Sequence, residues 1–216
     1  MLWSSLDPIW QAVIAEGWAA YAAGSHAIGA VITSPDGAIV ARGRNRGRDG
    51  TATPGQLHAS RLAHAEINAI LALPPELDPR TVTMWATTEP CPLCIGAVAI
   101  AKIGHLRFAC RDPYAGSAGL ATANAFMRSR AVQVRGPELA ADVEAVLTVM
   151  EVEFALRAGW AHDAYLAAMV AVFPGAVQAA GAAHATGWLW RLASSGTPVG
   201  EAMNAIASDR LIAQGA

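Results

Sequence analysis

Lysine is almost missing from this chain: of 216 residues, Lys102 is the only one, and the remaining positive charge is arginine. Charge of either sign is scarce, with 15% charged residues and a formal net charge of −2. No global field pulls a polyanion toward such a surface. Three cysteines do not make a disulfide framework. The first ten residues carry Asp7 and Pro8 without a basic start, so no signal peptide is read there and a cytoplasmic location is expected. Residues 164–183 carry no charge and could reach across a bilayer, but Pro174-Gly175 interrupts them, Gln178 is polar, and alanine and glycine dominate. Two packed helices explain that stretch better than a membrane span.

What is abundant is apolar. A hydrophobic content of 54% supports a sizeable buried core and excludes disorder. Asp7-Pro8 reads as a helix cap followed by proline at the first helical position, with a helix from Ile9 to Ala23 closed by Gly24. Ala27–Thr33 and Ala38–Gly43 read as a hairpin around Ser34-Pro35-Asp36-Gly37. A loop rich in glycine and arginine follows to Ser60. Helical spacing covers Arg61–Leu73, then a strand at Thr81–Thr87, a helix at Pro92–Lys102 and a strand at His105–Ala109. Leu120–Met127 predicts a short helix, Ala131–Val134 a strand and Pro137–Leu156 a long helix. Helical segments between the later strands favour parallel pairing. Past Leu156 the pattern predicts about three helices, at 160–172, 176–193 and 198–214. Trp160, Tyr165, Phe173, Trp188 and Trp190 concentrate there, as core, interface or a lid over a pocket. His162 and His184 read as packed or surface histidines.

His64-Ala65-Glu66 and Pro90-Cys91-Pro92-Leu93-Cys94 carry the chemistry. Each lies at the start of a helix, where the macrodipole favours thiolate. One imidazole and two thiolates hold Zn²⁺ and leave a fourth position for water, as in catalytic rather than structural zinc sites. Glu66 stands beside the first ligand, placed to move a proton. The competing closed site needs a fourth protein ligand, for which His58 and Cys110 are candidates, Cys110 otherwise being a small buried residue in a strand.

These residues resemble the signature of the zinc nucleobase and nucleoside deaminases, the cytidine/deoxycytidylate deaminase-like superfamily. Gly29-Ala30-Val31-Ile32, Gly43-Arg44-Asn45-Arg46, Thr88-Glu89, Ile103-Gly104, Arg111-Asp112, Ala118-Gly119 and Pro137-Glu138-Leu139 extend the resemblance to the branch of guanine deaminases and tRNA-specific adenosine deaminases. It implies an α/β, three-layer α-β-α fold with a five-stranded mixed sheet whose last two strands are parallel. Residues 1–156 would form the zinc deaminase domain and 157–216 a helical C-terminal extension. It further implies that His64, Cys91 and Cys94 bind Zn²⁺, that Glu66 is the catalytic proton shuttle, and that Asn45 and the Ala65 backbone contact the base. Asp112 and Tyr114 are the nearest polar candidates for further substrate contact, although either could be a turn residue, as could Asn45.

The implied reaction is hydrolytic removal of an amine, as ammonia, from a free purine-type base, nucleoside or related heterocycle. Deamination of adenosine in tRNA is the alternative, and a catalytically silent, zinc-stabilised binding protein is an alternative of another class. Arg42, Arg44, Arg46 and Arg48 alternate as an electrostatic rim or as a solvated strand edge. The acidic run Glu138, Asp142, Glu144, Glu151 and Glu153 weighs against nucleic acid as partner. A homodimer is expected from the resemblance, with the apolar C-terminal segment as an available interface.

Overall fold

Asp7 caps the first helix, α1 (Pro8–Ala22), its carboxylate accepting the Ile9 N–H at 2.8 Å. The structure is a computed structural model in which residues 2–208 are described. Strands β1 (Gly29–Thr33) and β2 (Ile39–Arg44) form the expected hairpin, closed by a Gly37 N–H to Ser34 C=O bond of 2.9 Å. After an irregular segment come α2 (Ala65–Leu71), β3 (Thr83–Thr88), α3 (Pro92–Ile100), β4 (His105–Cys110), α4 (Ala125–Arg130), β5 (Gln133–Arg135) and α5 (Ala141–Ala158). Four helices complete the described chain: α6 (Asp163–Val172), α7 (Pro174–Thr186), α8 (Trp188–Ser194) and α9 (Val199–Ala207).

The five strands lie in the order β2-β1-β3-β4-β5. β1 is antiparallel to β2 and β3, whereas β3-β4 and β4-β5 are parallel. It follows that β2, β3 and β4 all run the same way, and their carboxyl ends share one edge of the sheet. Open sheets bind ligands at such an edge.

Helices cover both faces, so every residue of β1 is buried. Alternation divides the strand between two cores. Val31 joins α1 and α5 on one side, and Ala30 and Ile32 join Ala65, Ala69, Ile95 and Val98 of α2 and α3 on the other. Each fully buried Val or Ile contributes roughly 1.5–3 kcal/mol relative to exposure. Two glycines allow helices to approach the sheet backbone directly. A Cβ on Gly29 would lie 2.3 Å from the Val13 carbonyl oxygen, and one on Gly43 would lie 2.3 Å from both the Ala65 carbonyl oxygen and the Ala69 nitrogen. Gly43 thereby seats the helix that carries Glu66.

Element ends depart from expectation where tertiary contacts compete. The second helix starts at Ala65 and not at Arg61, because residues 61–64 are not helical and Leu62 is exposed. The short helix expected at 120–127 divides into a 3₁₀ turn at 118–122 and α4, which Asn124 caps. The long helix starts at Ala141, since the preceding segment runs beside β4 with Glu138 N–H bonded to the Phe108 carbonyl at 3.1 Å. Four C-terminal helices replace the three expected. Gly187 takes the left-handed conformation at φ +67° and separates α7 from α8. The expectation for 209–214 lies outside the described residues. Tyr165, Met169, Leu189 and Met203 of these helices are buried in the same core as α1 and α5, so this segment packs within its own chain. No described helix is long and apolar enough to cross a membrane.

Gly43→Ala should lower stability by about 1–3 kcal/mol in denaturant titrations, because backbone rather than a movable side chain opposes the added methyl. The same variant should bind less zinc, since α2 must move.

Candidate active site

His64 is the extended residue immediately before α2, and Cys91 holds the same position before α3. Cys94 and Glu66 follow in the first turns of these helices. The two helices follow β2 and β3, whose carboxyl ends share an edge, so their N-termini converge. The His64 Nδ1 atom lies 3.6 Å from Cys91 Sγ and 3.4 Å from Cys94 Sγ, and the sulfurs are 3.6 Å apart. Tetrahedral zinc, with bonds of roughly 2.3 Å to sulfur and 2.0–2.1 Å to nitrogen, requires ligand atoms about 3.5–3.8 Å apart. The triad fits that ion.

Among the described residues no fourth His, Cys, Asp or Glu joins the group. Cys110 is buried at the end of β4, its sulfur 3.6 Å from Thr148 Oγ1. His58 lies in the irregular segment, with its Nδ1 buried and unpartnered. The three-ligand arrangement leaves a coordination position open.

Electrostatics around the triad match metal ligation. A hydrogen bond from Cys94 brings the Cys91 thiol down to about 4, whereas Cys94, which keeps the shared proton, is pushed up. The bond with Cys91 also raises His64. Burial raises the Glu66 carboxyl, and its own backbone N–H, the His64 ring and the Cys94 thiol partly offset that. Glu66 is only 3% exposed, yet it lines the cavity that opens beside the triad.

That cavity holds about 200 Å³. Drug-sized sites run to roughly 300–1,000 Å³, so this one suits a small ring system. Three of the four residues expected to contact substrate line it: Asn45, Asp112 and Tyr114. Ala65 is buried and is not among the lining residues. Asn45 also serves as a turn residue, its Oδ1 accepting the Gly47 N–H at 3.0 Å. Asp112 does likewise, its Oδ1 accepting from Tyr114 and Ala115 N–H, both at 2.9 Å, while burial raises its carboxyl. Tyr114 is half exposed and its hydroxyl lies 3.1 Å from His162 Nε2.

Residues with no local motif complete the wall. His26 Nδ1 lies 2.5 Å from Glu151 Oε1, and both line the cavity. Glu89 accepts the Ala118 N–H at 3.0 Å, tying the loop after β4 to the start of α3. Trp160, Tyr165 and Met169 enter from the C-terminal segment. Only the concentration of aromatic residues in that segment hinted at them. Nothing around His26 or Glu151 in the sequence marks them, because they meet across 125 residues.

The arginines form no continuous rim: Arg42 lies half exposed on the edge strand β2, as a solvated edge requires, whereas Arg44 and Arg46 turn inward. Arg44 pairs with Asp49 at 2.5 Å, buried Arg46 reaches the same carboxylate at 3.2 Å, and Arg42 meets Glu16 at 3.3 Å. Arg48 packs over the Phe154 ring. Part of the acidic run also turns inward, while Glu138 and Asp142 stay exposed. Glu144 takes a bidentate bond from Arg111, and buried Glu153 contacts Tyr21 and Arg157.

Residues 5–110 match the cytidine and deoxycytidylate deaminase zinc-binding region. A tRNA(Ile)-lysidine synthase of Deinococcus radiodurans is 43% identical over 93 residues, which is 43% of this chain and 15% of that protein. One from Deinococcus deserti is 33% identical over 95 residues, 43% of this chain and 16% of that protein. The chain thus spans about a sixth of the length of the curated relatives it matches. A solved structure from studies of A-to-I editing by tRNA:A34 deaminases at the wobble position is 27% identical. The match covers 59% of this chain and 89% of that one, at a TM-score of 0.46. A guanine deaminase from Nitrosomonas europaea is 21% identical, with coverage of 68% and 94% and a TM-score of 0.47.

Zinc must displace the proton that the two thiols share and, because His64 is raised, an imidazole proton as well. Apparent zinc affinity should therefore rise at least about tenfold per pH unit through neutrality, measured by competition with a chromogenic chelator. Acidification should release the metal. Residues 5–110 of this chain thus carry the zinc-binding region of the cytidine and deoxycytidylate deaminases.

Proposed function

We propose that this chain is a hydrolytic deaminase that removes an exocyclic amine, as ammonia, from a free purine-type base, nucleoside or related heterocycle. One observation carries this reading: Glu66 is a buried carboxylate in the turn after a metal ligand, facing a cavity sized for one heterocycle. When bound, zinc supplies Lewis acidity that makes water a nucleophile near neutral pH. Glu66 carries one proton from water to a ring nitrogen and then a second, from the newly added hydroxyl, to the departing amine. Its raised affinity for protons, caused by burial, suits both tasks. Asn45 holds the ring edge, with Asp112 and Tyr114 beside it. The products are a ring carbonyl and ammonia, so atoms and protons balance. We assign residues 1–156 as the catalytic domain and the helices beyond as an extension that adds wall to the cavity.

A second reading is supported by one comparison. Both curated relatives are named as tRNA-modifying synthases, which favours deamination of a base within tRNA. The pairing of Arg42, Arg44 and Arg46 with carboxylates leaves fewer free cations for phosphate and supports the small substrate.

Glu66→Gln should cost about 10²–10⁴-fold in ammonia release while zinc stoichiometry and melting temperature hold. The assay is a panel of aminated purines, pyrimidines and pteridines. No release by the unmodified protein from any member would remove the small-molecule reading. Inosine formation in bulk tRNA would instead establish the second.

A further inference from the structure

Six buried side-chain polar atoms have no hydrogen-bond partner among the described residues, and two of them, Trp160 Nε1 and the Tyr165 hydroxyl, belong to residues that line the cavity. A native protein rarely leaves such groups unpaired without a reason. Both residues lie beyond the family match, at the junction of α5 and α6. Tyr165 is only 3% exposed.

The junction holds them in place before any ligand arrives. Gly159 adopts φ +75° and turns the chain, and Trp160 N–H bonds back to the Ala155 carbonyl at 3.2 Å. His162 caps α6, its Nδ1 accepting the Tyr165 N–H at 3.3 Å, and its Nε2 lies 3.1 Å from the Tyr114 hydroxyl. The Tyr165 ring packs 4.8 Å from Trp160 and 5.6 Å, edge to face, from Tyr114. Rigid aromatic donors placed in this way cost little ordering entropy on binding.

We infer that Trp160 and Tyr165 form the specificity end of the cavity and donate hydrogen bonds to an acceptor, an oxo oxygen or an unprotonated ring nitrogen, on a substrate edge other than the one bearing the amine. An indole N–H only donates, and a neutral phenol donates readily. Burial, together with the charges of Glu151 and Asp112, keeps Tyr165 protonated. The ligand class is then a planar heterocycle with an amine on one edge and an acceptor on another. This deepens the deaminase reading and rests on it for the amine end alone.

The test uses the zinc-loaded full chain, Tyr165→Phe and Trp160→Phe, and the same heterocycle panel. Each panel member is paired with a deaza or deoxo counterpart lacking one acceptor. Ammonia release gives kcat and KM, and equilibrium binding is measured separately. The unmodified protein should prefer the acceptor-bearing member of a pair. Either variant should raise KM or Kd for it by about 5–100-fold, erase the preference and leave kcat within a few-fold. Ligand-free Tyr165→Phe should melt no lower than the parent, because the lost hydroxyl had no partner. A clear drop in its melting temperature, or unchanged KM and unchanged preference in both variants, overturns the inference and leaves the deaminase reading standing. Acceptor-dependent binding without ammonia release supports this subsite and overturns the deaminase reading. Neither binding nor release across the panel overturns both.

Discussion

Three strands that run the same way and end at one edge are the constraint on which the site depends. Because β1 is antiparallel to both neighbours, β2 and β3 share a direction, and parallel pairing adds β4. The helix after β2 brings His64 and Glu66, the helix after β3 brings Cys91 and Cys94, and the loop after β4 brings Asp112 and Tyr114. Ligands separated by 27 residues can meet within 3.6 Å only because both helices start at the same edge. Gly43 makes that spacing possible, since any side chain there would lift α2 away from the sheet.

Several charged groups of this protein are turned inward, while others such as Arg61, Lys102, Asp142 and Glu201 stay in water. Asp49 takes Arg44 and Arg46, Glu144 takes Arg111, Glu151 takes His26, and Glu153 takes Tyr21 and Arg157. Removing one partner of such a buried pair leaves an uncompensated charge, so these groups act as internal ties and not as a surface field. Expectations built on counting arginines and glutamates along the chain therefore carried little about binding partners.

The C-terminal helices extend the same core that α1 and α5 form. Their aromatic residues pack against Tyr21, Phe154 and one another, and Trp160 and Tyr165 reach the cavity. Segments outside a catalytic framework can reshape a pocket without touching its metal ligands.

The sequence by itself determined the metal-ligand triad, the helix start at Pro92, the hairpin, and parallel pairing of the later strands. Each of these is local, since a cap, a turn or a two-residue ligand gap is set by neighbouring residues. Only the tertiary structure decided that Cys110 and His58 stay out of the metal group and that His26 meets Glu151. It also decided that Arg44 and Arg46 pair internally and that Trp160 and Tyr165 join the cavity wall. Those contacts cross more than a hundred residues or depend on side-chain direction, and no periodicity or spacing along the chain encodes them. Gly187 shows the same limit at smaller scale. A glycine within a helical pattern can be tolerated or can turn the chain, and here packing on α1 and α5 selected the turn.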